Sequence, residues 1–416
     1  MKPQPRIVFV DNSVNAFRRD RMQLVQAARD LGLEIHVAAP RAQTPLDTAD
    51  AFTFHAIPMT RKGTSIWKEP ATVLALLRLY RSLRPTLVHH LRLKPVLYGS
   101  LAANLAGVPA IVNTLTGLGF VFTDTSEKTA PVRKWVEMGC RRAFRHGNLR
   151  VIFQNPDDRA VFIRKGILTG EQAAVIKGSG VDLSLYRPSP EPDGVPIVIL
   201  ASRMLWDKGV AQFVEAARIL KSEGVQARFA LAGEPDPENP AAIPFEQLEV
   251  WHECGEIEWW GLQDPRDMPR VLANSHIVCL PSYREGIPRI LIEAAASGRP
   301  VVTTDAPGCR EVVRPGVNGI IVPSRDTSSL ASALRFLIEN REARTTMGTN
   351  NREIAVQEFS QELVVAQFVS VYRDLLRTSS VGPTAPGAVP AGAKHVIRPI
   401  PGPPLPAEAT RSQGRS

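Results

Sequence analysis

Residues 277–298 read IVCLPSYREGIPRILIEAAASG. Ile277–Leu280 is a short apolar strand that ends in Pro281-Ser282, and a polar loop then carries Glu285-Gly286. A helix is predicted from Pro288 to Gly298, since proline in the first turn and glycine just past the end are the expected helix punctuation. The same strand–helix alternation runs outward from here along the chain. Further strand candidates are Ile197–Ala201, Ala227–Ala232, Val301–Thr304 and Gly319–Val322 in one series. A second series comprises Ile7–Val10, Ile35–Ala38, Leu87–His90, Ala110–Asn113 and Val151–Gln154. Helical patterns intervene at 18–31, 71–83, 96–106, 209–223, 267–274, 288–297 and 327–340. Short buried strands separated by helices of this length mean parallel, doubly wound sheets.

Two such series predict an α/β protein with two facing Rossmann-like domains, 1–188 and 189–351. The Pro-rich polar segment YRPSPEPDGVP (186–196) joins them. Open α/β sheets bind ligands at the carboxyl ends of their strands, so two facing sheets put the active site in the cleft between them. A helix over 352–378 is expected to pack back towards the first domain. Residues 379–416, rich in Pro, Ala and Gly and without apolar periodicity, are expected to be disordered.

Within the quoted stretch Glu293 lies among Ile290, Leu291, Ile292 and three alanines, where an unpaired charge is costly. It is either a partly exposed residue supporting the helix or a carboxylate that accepts hydrogen bonds from ligand hydroxyls. Helical rise over eight residues separates Glu285 from Glu293 by roughly 12 Å. Acid/base pairs of glycosidases sit about 5 to 9.5 Å apart, which disfavours a hydrolase. Two carboxylates gripping opposite ends of one elongated ligand fit better, with a helix N-terminus between them suited to phosphate.

Three further stretches fall at strand ends of the same half. Ser202 to Gly209 reads SRMLWDKG, where Arg203 and Lys208 can reach a diphosphate, the former by a bidentate fork and the latter as a point charge. Gly233-Glu234 allows a ligand close to backbone. Trp259-Trp260-Gly261-Leu262 offers a nucleobase an aromatic edge and a backbone. No GxxxxGK[ST] is present and no GxGxxG follows a first strand, which disfavours an ordinary ATP or nicotinamide enzyme.

Net charge divides unevenly. Residues 1–190 hold 27 Lys and Arg against 14 Asp and Glu, a net of +13, whereas 191–378 hold 19 against 26, a net of −7. The first half is therefore expected to face an anionic partner. Residues 126–150 combine Trp135, Val136, Met138 and Phe144 with Arg133, Lys134, Arg141, Arg142 and Arg145. This pattern is either a basic amphipathic helix for an anionic membrane surface or a packed helix with a solvated basic face. Arg78, Arg81 and Arg84 add to the basic set. No aromatic-interleaved surface supports nucleic acid as partner. The four cysteines lie far apart without a CxxC pair, and MKPQPRIVFVD enters a strand without signal-peptide architecture. A cytoplasmic location, peripheral to the inner face of the membrane, is expected.

SRMLWDKG, the Trp-Trp-Gly stretch and EGIPRILIEAAASGRPVV together resemble the retaining nucleotide-sugar glycosyltransferases of family 4, which adopt the GT-B fold of two facing Rossmann domains. The resemblance implies that Glu285 contacts the donor sugar and Glu293 the ribose. It also implies that Arg203 and Lys208 hold the diphosphate and that backbone around Gly286, Ile287 and Pro288 faces the phosphates. No metal or other cofactor is expected. Gly233, Trp260 and Leu262 complete the expected donor site, with Glu285, Arg203 and Lys208 catalytic. The family's early glycine-rich loop is replaced by Asp11-Asn12-Ser13-Val14-Asn15-Ala16-Phe17-Arg18, in which Asn15 and Arg18 are candidate substitutes. The stretch from Asn113 to Thr123, with Thr116 and Gly117, looks like a segment of the branch that builds bacterial polysaccharide repeat units and lipid-linked oligosaccharides. Gly178-Ser179-Gly180-Val181-Asp182 fits the same motif order. His89-His90 ends a strand, and His90 is either a cleft contact or a satisfied structural histidine.

The expected function is transfer of an N-acetylhexosamine from a UDP-sugar to an undecaprenyl-diphosphate saccharide. The rivals are a nucleotide-sugar epimerase of the same fold and a catalytically silent binding subunit.

Overall fold

Among the described residues, seven parallel strands form the first sheet and six the second. The computed structural model describes residues 4–41, 52–59, 69–118, 130–237 and 239–380. The first sheet comprises β1 (Arg6–Val10), β2 (Glu34–Ala39), β3 (Thr53–Ala56), β4 (Leu87–Leu91), β5 (Ala110–Leu115), β6 (Leu149–Phe153) and β7 (Ala173–Val175), in the order β3-β2-β1-β4-β5-β6-β7. The second comprises β8 (Ile197–Ala201), β9 (Arg228–Ala232), β10 (Glu258–Trp259), β11 (Ile277–Leu280), β12 (Val301–Thr304) and β13 (Gly319–Val322), in the order β10-β9-β8-β11-β12-β13. Both are doubly wound α/β sheets. Central strands are mostly apolar because helices cover both faces, as the complete burial of Val198, Ile199 and Leu200 on β8 and of Val301 and Val302 on β12 shows.

The strand orders place the chemistry. In the first sheet the chain reverses between β1 and β4, whose carboxyl ends lead into Asp11 and Arg92. In the second it reverses between β8 and β11, whose carboxyl ends lead into Ser202-Arg203 and Pro281–Glu285. Each reversal opens a crevice, and both candidate motifs therefore stand where doubly wound sheets take ligands.

The helical stretch expected over 352–378 is instead two helices, Arg341–Glu358 and Gln361–Ser380. The break needs neither glycine nor proline. Phe359 is buried, Val181 N–H donates to its carbonyl at 2.9 Å, and Gln361 N–H donates to the Val181 carbonyl at 3.0 Å. The final helix crosses to the first sheet, where the Tyr372 hydroxyl meets His89 Nδ1 at 2.6 Å. Strands β3, β7 and β10 were not expected. Each has two to four residues at or near a sheet edge, too short for a periodic signal. The expected tail from 381 onward lies outside the described residues.

Candidate functional site

The Lys208–Glu285 pair is held by two turns that lock together. Trp206–Lys208 is a single 3-10 turn, followed by Gly209 at φ 73° and then the helix Val210–Ser222. A Cβ on Gly209 would lie 2.1 Å from the Pro281 carbonyl oxygen, so only glycine lets the two turns touch. The Asp207 carbonyl accepts from Tyr283 N–H at 2.9 Å and from Ser282 Oγ at 3.1 Å. The result is an ion pair of Lys208 Nζ with Glu285 Oε1 at 2.5 Å, both side chains mostly buried. Arg203 is half exposed and pairs with Asp236 at 2.8 Å.

The loop carrying Glu285 is also gripped from the first sheet, through the segment after β6. Asn155 donates to the carbonyls of Gly286 at 2.8 Å and Glu285 at 3.3 Å, and Ile287 N–H donates to Gln154 Oε1 at 3.1 Å. Arg284 pairs with the buried Asp158, and Arg310 pairs with Asp157 at 2.8 Å. Burial raises the Asp158 carboxyl above its ordinary value, against the lowering effect of Arg284. Thr116 and Gly117 complete this contact from the end of β5, Thr116 through its carbonyl against Gly286. Sequence reasoning found Gly286 and Thr116 but missed 154–158, whose signal was polar residues straight after an apolar strand.

Glu293 is buried in the helix Arg289–Ala296, with Pro288 outside as its N-cap. Only half of the interval from Glu285 is helical, so the rise-based spacing does not apply. Arg289 Nε donates to Glu293 Oε1 at 2.6 Å, and its Nη1 meets Asp20 of the first domain at 2.5 Å. The Tyr186 hydroxyl also bonds Glu293; burial and this carboxylate raise its pKa. Glu293 is thus neither solvated nor unpaired. Gly233 lies at the end of β9, its N–H donating to the Gly261 carbonyl at 2.7 Å. Trp260 Nε1 bonds Glu258 at 3.1 Å, and Leu262 is exposed beyond it.

These elements border a cavity of about 310 Å³, lined from the second domain by Arg203, Glu285, Ile287 and Pro288. Asp11, Arg19, Asp20, Arg21, Arg92, Thr116 and Gly178-Ser179 line it from the first. Two expectations for the first domain are corrected. Asn15 is exposed, and neither it nor Arg18 lines the cavity; one turn further along the helix Val14–Asp30, Arg19, Asp20 and Arg21 do. His90 is fully buried, with Nδ1 against Asn113 Oδ1 at 2.7 Å and Nε2 against the Tyr80 hydroxyl at 2.9 Å. It is a structural histidine, because β4 turns it under the helix Leu93–Ala106 rather than towards the cleft. A second cavity of about 290 Å³ lies by the linker, lined by Arg299, Arg344 and Glu191, and these are already bonded to backbone or to each other.

The basic helix is Ala130–Ala143, shorter than the 126–150 pattern, and residues 119–129 lie outside the described set. Its outward apolar residues are Val132, Trp135 (70% exposed) and Met138, not Val136 and Phe144, which pack inward.

The profile of the family described as "Glycosyl transferases group 1" matches residues 185–354, and that of "Glycosyl transferase 4-like" matches residues 6–154. The chain belongs to these glycosyl transferases. Among curated proteins, an undecaprenol-linked relative is the N,N'-diacetylbacillosaminyl-diphospho-undecaprenol alpha-1,3-N-acetylgalactosaminyltransferase of Campylobacter jejuni. It is 25% identical over 386 residues, covering 89% of this chain and 99% of that protein. The UDP-Gal:alpha-D-GlcNAc-diphosphoundecaprenol alpha-1,3-galactosyltransferase of Escherichia coli is 24% identical, over 83% of this chain and 89% of its own. The fold matches sucrose-phosphate synthase of Thermosynechococcus elongatus, with a TM-score of 0.76 at 21% identity, covering 90% of this chain and 100% of that one. It also matches Anabaena HepE solved with UDP-glucose, with a TM-score of 0.68 at 19% identity, covering 89% and 99%. The glycosyltransferase therefore has the GT-B architecture; one profile match ends at residue 154, and the other begins at 185, just ahead of the linker.

Proposed function

We propose that this glycosyltransferase moves an N-acetylhexosamine from a UDP-sugar to an undecaprenyl-diphosphate saccharide, with retention at the anomeric carbon, in the synthesis of a cell-surface glycan. The observation that carries the reading is the meeting of Arg203, the Lys208–Glu285 pair and the clamped loop 284–288 at one interdomain cavity. The names of the two undecaprenol-linked relatives support the acceptor class.

Glu285 would accept from hydroxyls of the donor sugar while Lys208 and Arg203 face the diphosphate. Positive charge fixed before the reaction stabilises the leaving group as it gains charge, normally the largest catalytic contribution. The anomeric carbon–oxygen bond to the diphosphate breaks, and the electron pair leaves with the phosphate oxygen. The acceptor hydroxyl attacks the same face and gives its proton to a diphosphate oxygen. These cations supply the charge without a metal. Glu293 would meet the ribose, its carboxylate oriented by Arg289.

Docking at the inner membrane face belongs to the same proposal. Val132, Trp135 and Met138 stand outward beside Arg133, Lys134, Arg141 and Arg142, the composition of a helix that lies in an anionic headgroup layer. Among the described residues no helix is long and apolar enough to cross a membrane.

The test is turnover with UDP-N-acetylhexosamines and a short-chain polyprenyl-diphosphate saccharide, with the product anomer read by NMR. An α-linked product supports the reading and a β-linked one refutes retention. Conversion of the donor sugar without acceptor would point to an epimerase. Sedimentation with vesicles rich in anionic lipid, lost in Trp135→Glu, tests the membrane face.

A further inference from the structure

Among the described residues, Arg21 is a buried cation without an anionic partner. It lies on the helix Val14–Asp30, is 6% exposed and lines the interdomain cavity. Among the described residues its guanidinium donates no hydrogen bond and has no carboxylate at ion-pair distance; its ring neighbour is Phe368, 5.5 Å to the centroid. The two acids that act on it through space are engaged elsewhere. Asp20 pairs with Arg19 at 2.8 Å and with Arg289 at 2.5 Å. Asp11 accepts from Arg92 Nε at 2.9 Å and from Ser13 N–H at 3.1 Å. Burial lifts the Asp11 carboxyl to about 6, which weakens its compensation of Arg21 further. Burying an ion without a partner is among the costliest arrangements a fold can retain.

Arg92 shares this wall. It holds φ at 74° just before the helix Leu93–Ala106, a conformation that costs energy in a residue other than glycine. Only its Nε is engaged, by Asp11; its two terminal amino groups make no hydrogen bond among the described residues. A strained backbone that aims a cation and a buried cation without an anion line the same cavity.

We propose that Arg21 and Arg92 form a diphosphate-binding site on the first sheet's wall of the cavity. Two forks of N–H donors suit two phosphate groups. The inference rests on the transfer reading for its source of diphosphate, which is either the lipid-linked acceptor or the donor itself.

The experiment is calorimetric titration of the full chain with inorganic diphosphate, with and without saturating UDP, in wild type, Arg21→Met and Arg92→Ala. Expected is binding that persists with UDP bound and weakens at least tenfold in each variant. A rise in the KM of the short-chain acceptor alone then assigns the site to the acceptor. If UDP blocks the binding and the variants weaken UDP itself at least tenfold, the site stands and holds the donor diphosphate. Arg21→Met also removes an unpaired buried charge, so its melting temperature without ligand should equal or exceed that of wild type. Unchanged diphosphate and UDP binding in both variants overturns the proposal, as does a lower melting temperature in Arg21→Met with binding intact. Binding is read without turnover, so a failed transfer assay refutes the reading of the function and leaves the site standing.

Discussion

Asn155 of the first domain donates its amide to the carbonyl of Gly286 in the second, at 2.8 Å. The loop that presents Glu285 to the cavity is therefore positioned by the opposite domain. Gln154, Asp157 and Asp158 add three further contacts from the same short segment. Contact between the two domains and the placement of the Glu285 carboxylate are thereby one event in this fold.

Asn155→Ala separates that event from nucleotide binding. It leaves the buried Gly286 carbonyl without its donor, a loss of about 1–3 kcal/mol, or roughly 5- to 150-fold in kcat/KM. Arg203 and Lys208 are untouched, so UDP affinity measured by titration should stay within about twofold. A parallel fall in UDP affinity would mean that the contact supports the whole second domain rather than the loop.

Gly286→Ala tests the same interface by sterics. A Cβ there would lie 2.1 Å from the Thr116 carbonyl oxygen and 2.5 Å from Gln154 Oε1. Neither neighbour is the end of a free side chain, so the interface must part. Overpacking costs about 1–3 kcal/mol, and here it falls on closure. Activity should drop to near background, while urea denaturation shows a folded protein.

The strand–loop–helix unit at 277–298 was legible because buried strands and helix punctuation are local. The Arg203, Lys208 and Glu285 motif stood at strand ends for the same reason. What the sequence could not reveal was the partner of each charge. Lys208 looked free to hold phosphate but holds Glu285, and Glu293 looked unpaired but is bonded by Arg289, four residues earlier. His90 is turned into the core and Arg21 lines the cavity, directions that no pattern in the chain encodes. The role of 154–158 depends on two domains meeting, and it is invisible until both sheets are placed.

Breaking the Lys208–Glu285 pair should distinguish stability from catalysis. Either Lys208→Met or Glu285→Gln removes one partner and leaves the other mostly buried, at a cost of about 2–4 kcal/mol. The double variant removes both charges and should recover most of that loss in urea denaturation. Turnover should remain down by about 10²–10³ in all three, as expected when a transition-state charge contact is missing. Recovery of activity in the double variant would reduce the pair to a structural bridge.

Stability should fall in acid through the two buried histidines of β4. Burial pushes the His90 imidazole down to about 4, and His89 well below its ordinary value, from a starting value of 6.5. Above pH 6.5 both are neutral whether the chain is folded or not, and they contribute no pH dependence. As pH drops below 6.5 the unfolded chain takes up protons that the folded chain refuses, so the fold loses stability until about pH 4 for His90. That loss is about 3 kcal/mol from His90 alone. Asp11 acts in the opposite sense in an overlapping window. Its carboxyl is raised from 3.8 to about 6, so the folded state gains relative stability as pH falls between those values. The contribution of His90 is therefore read as a difference. His90→Gln, measured beside wild type by urea denaturation at pH 7 and pH 4, should be less acid-sensitive by about 3 kcal/mol. Equal acid sensitivity in the two proteins would mean that His90 is protonated in the fold, with Tyr80 and Asn113 arranged around an imidazolium.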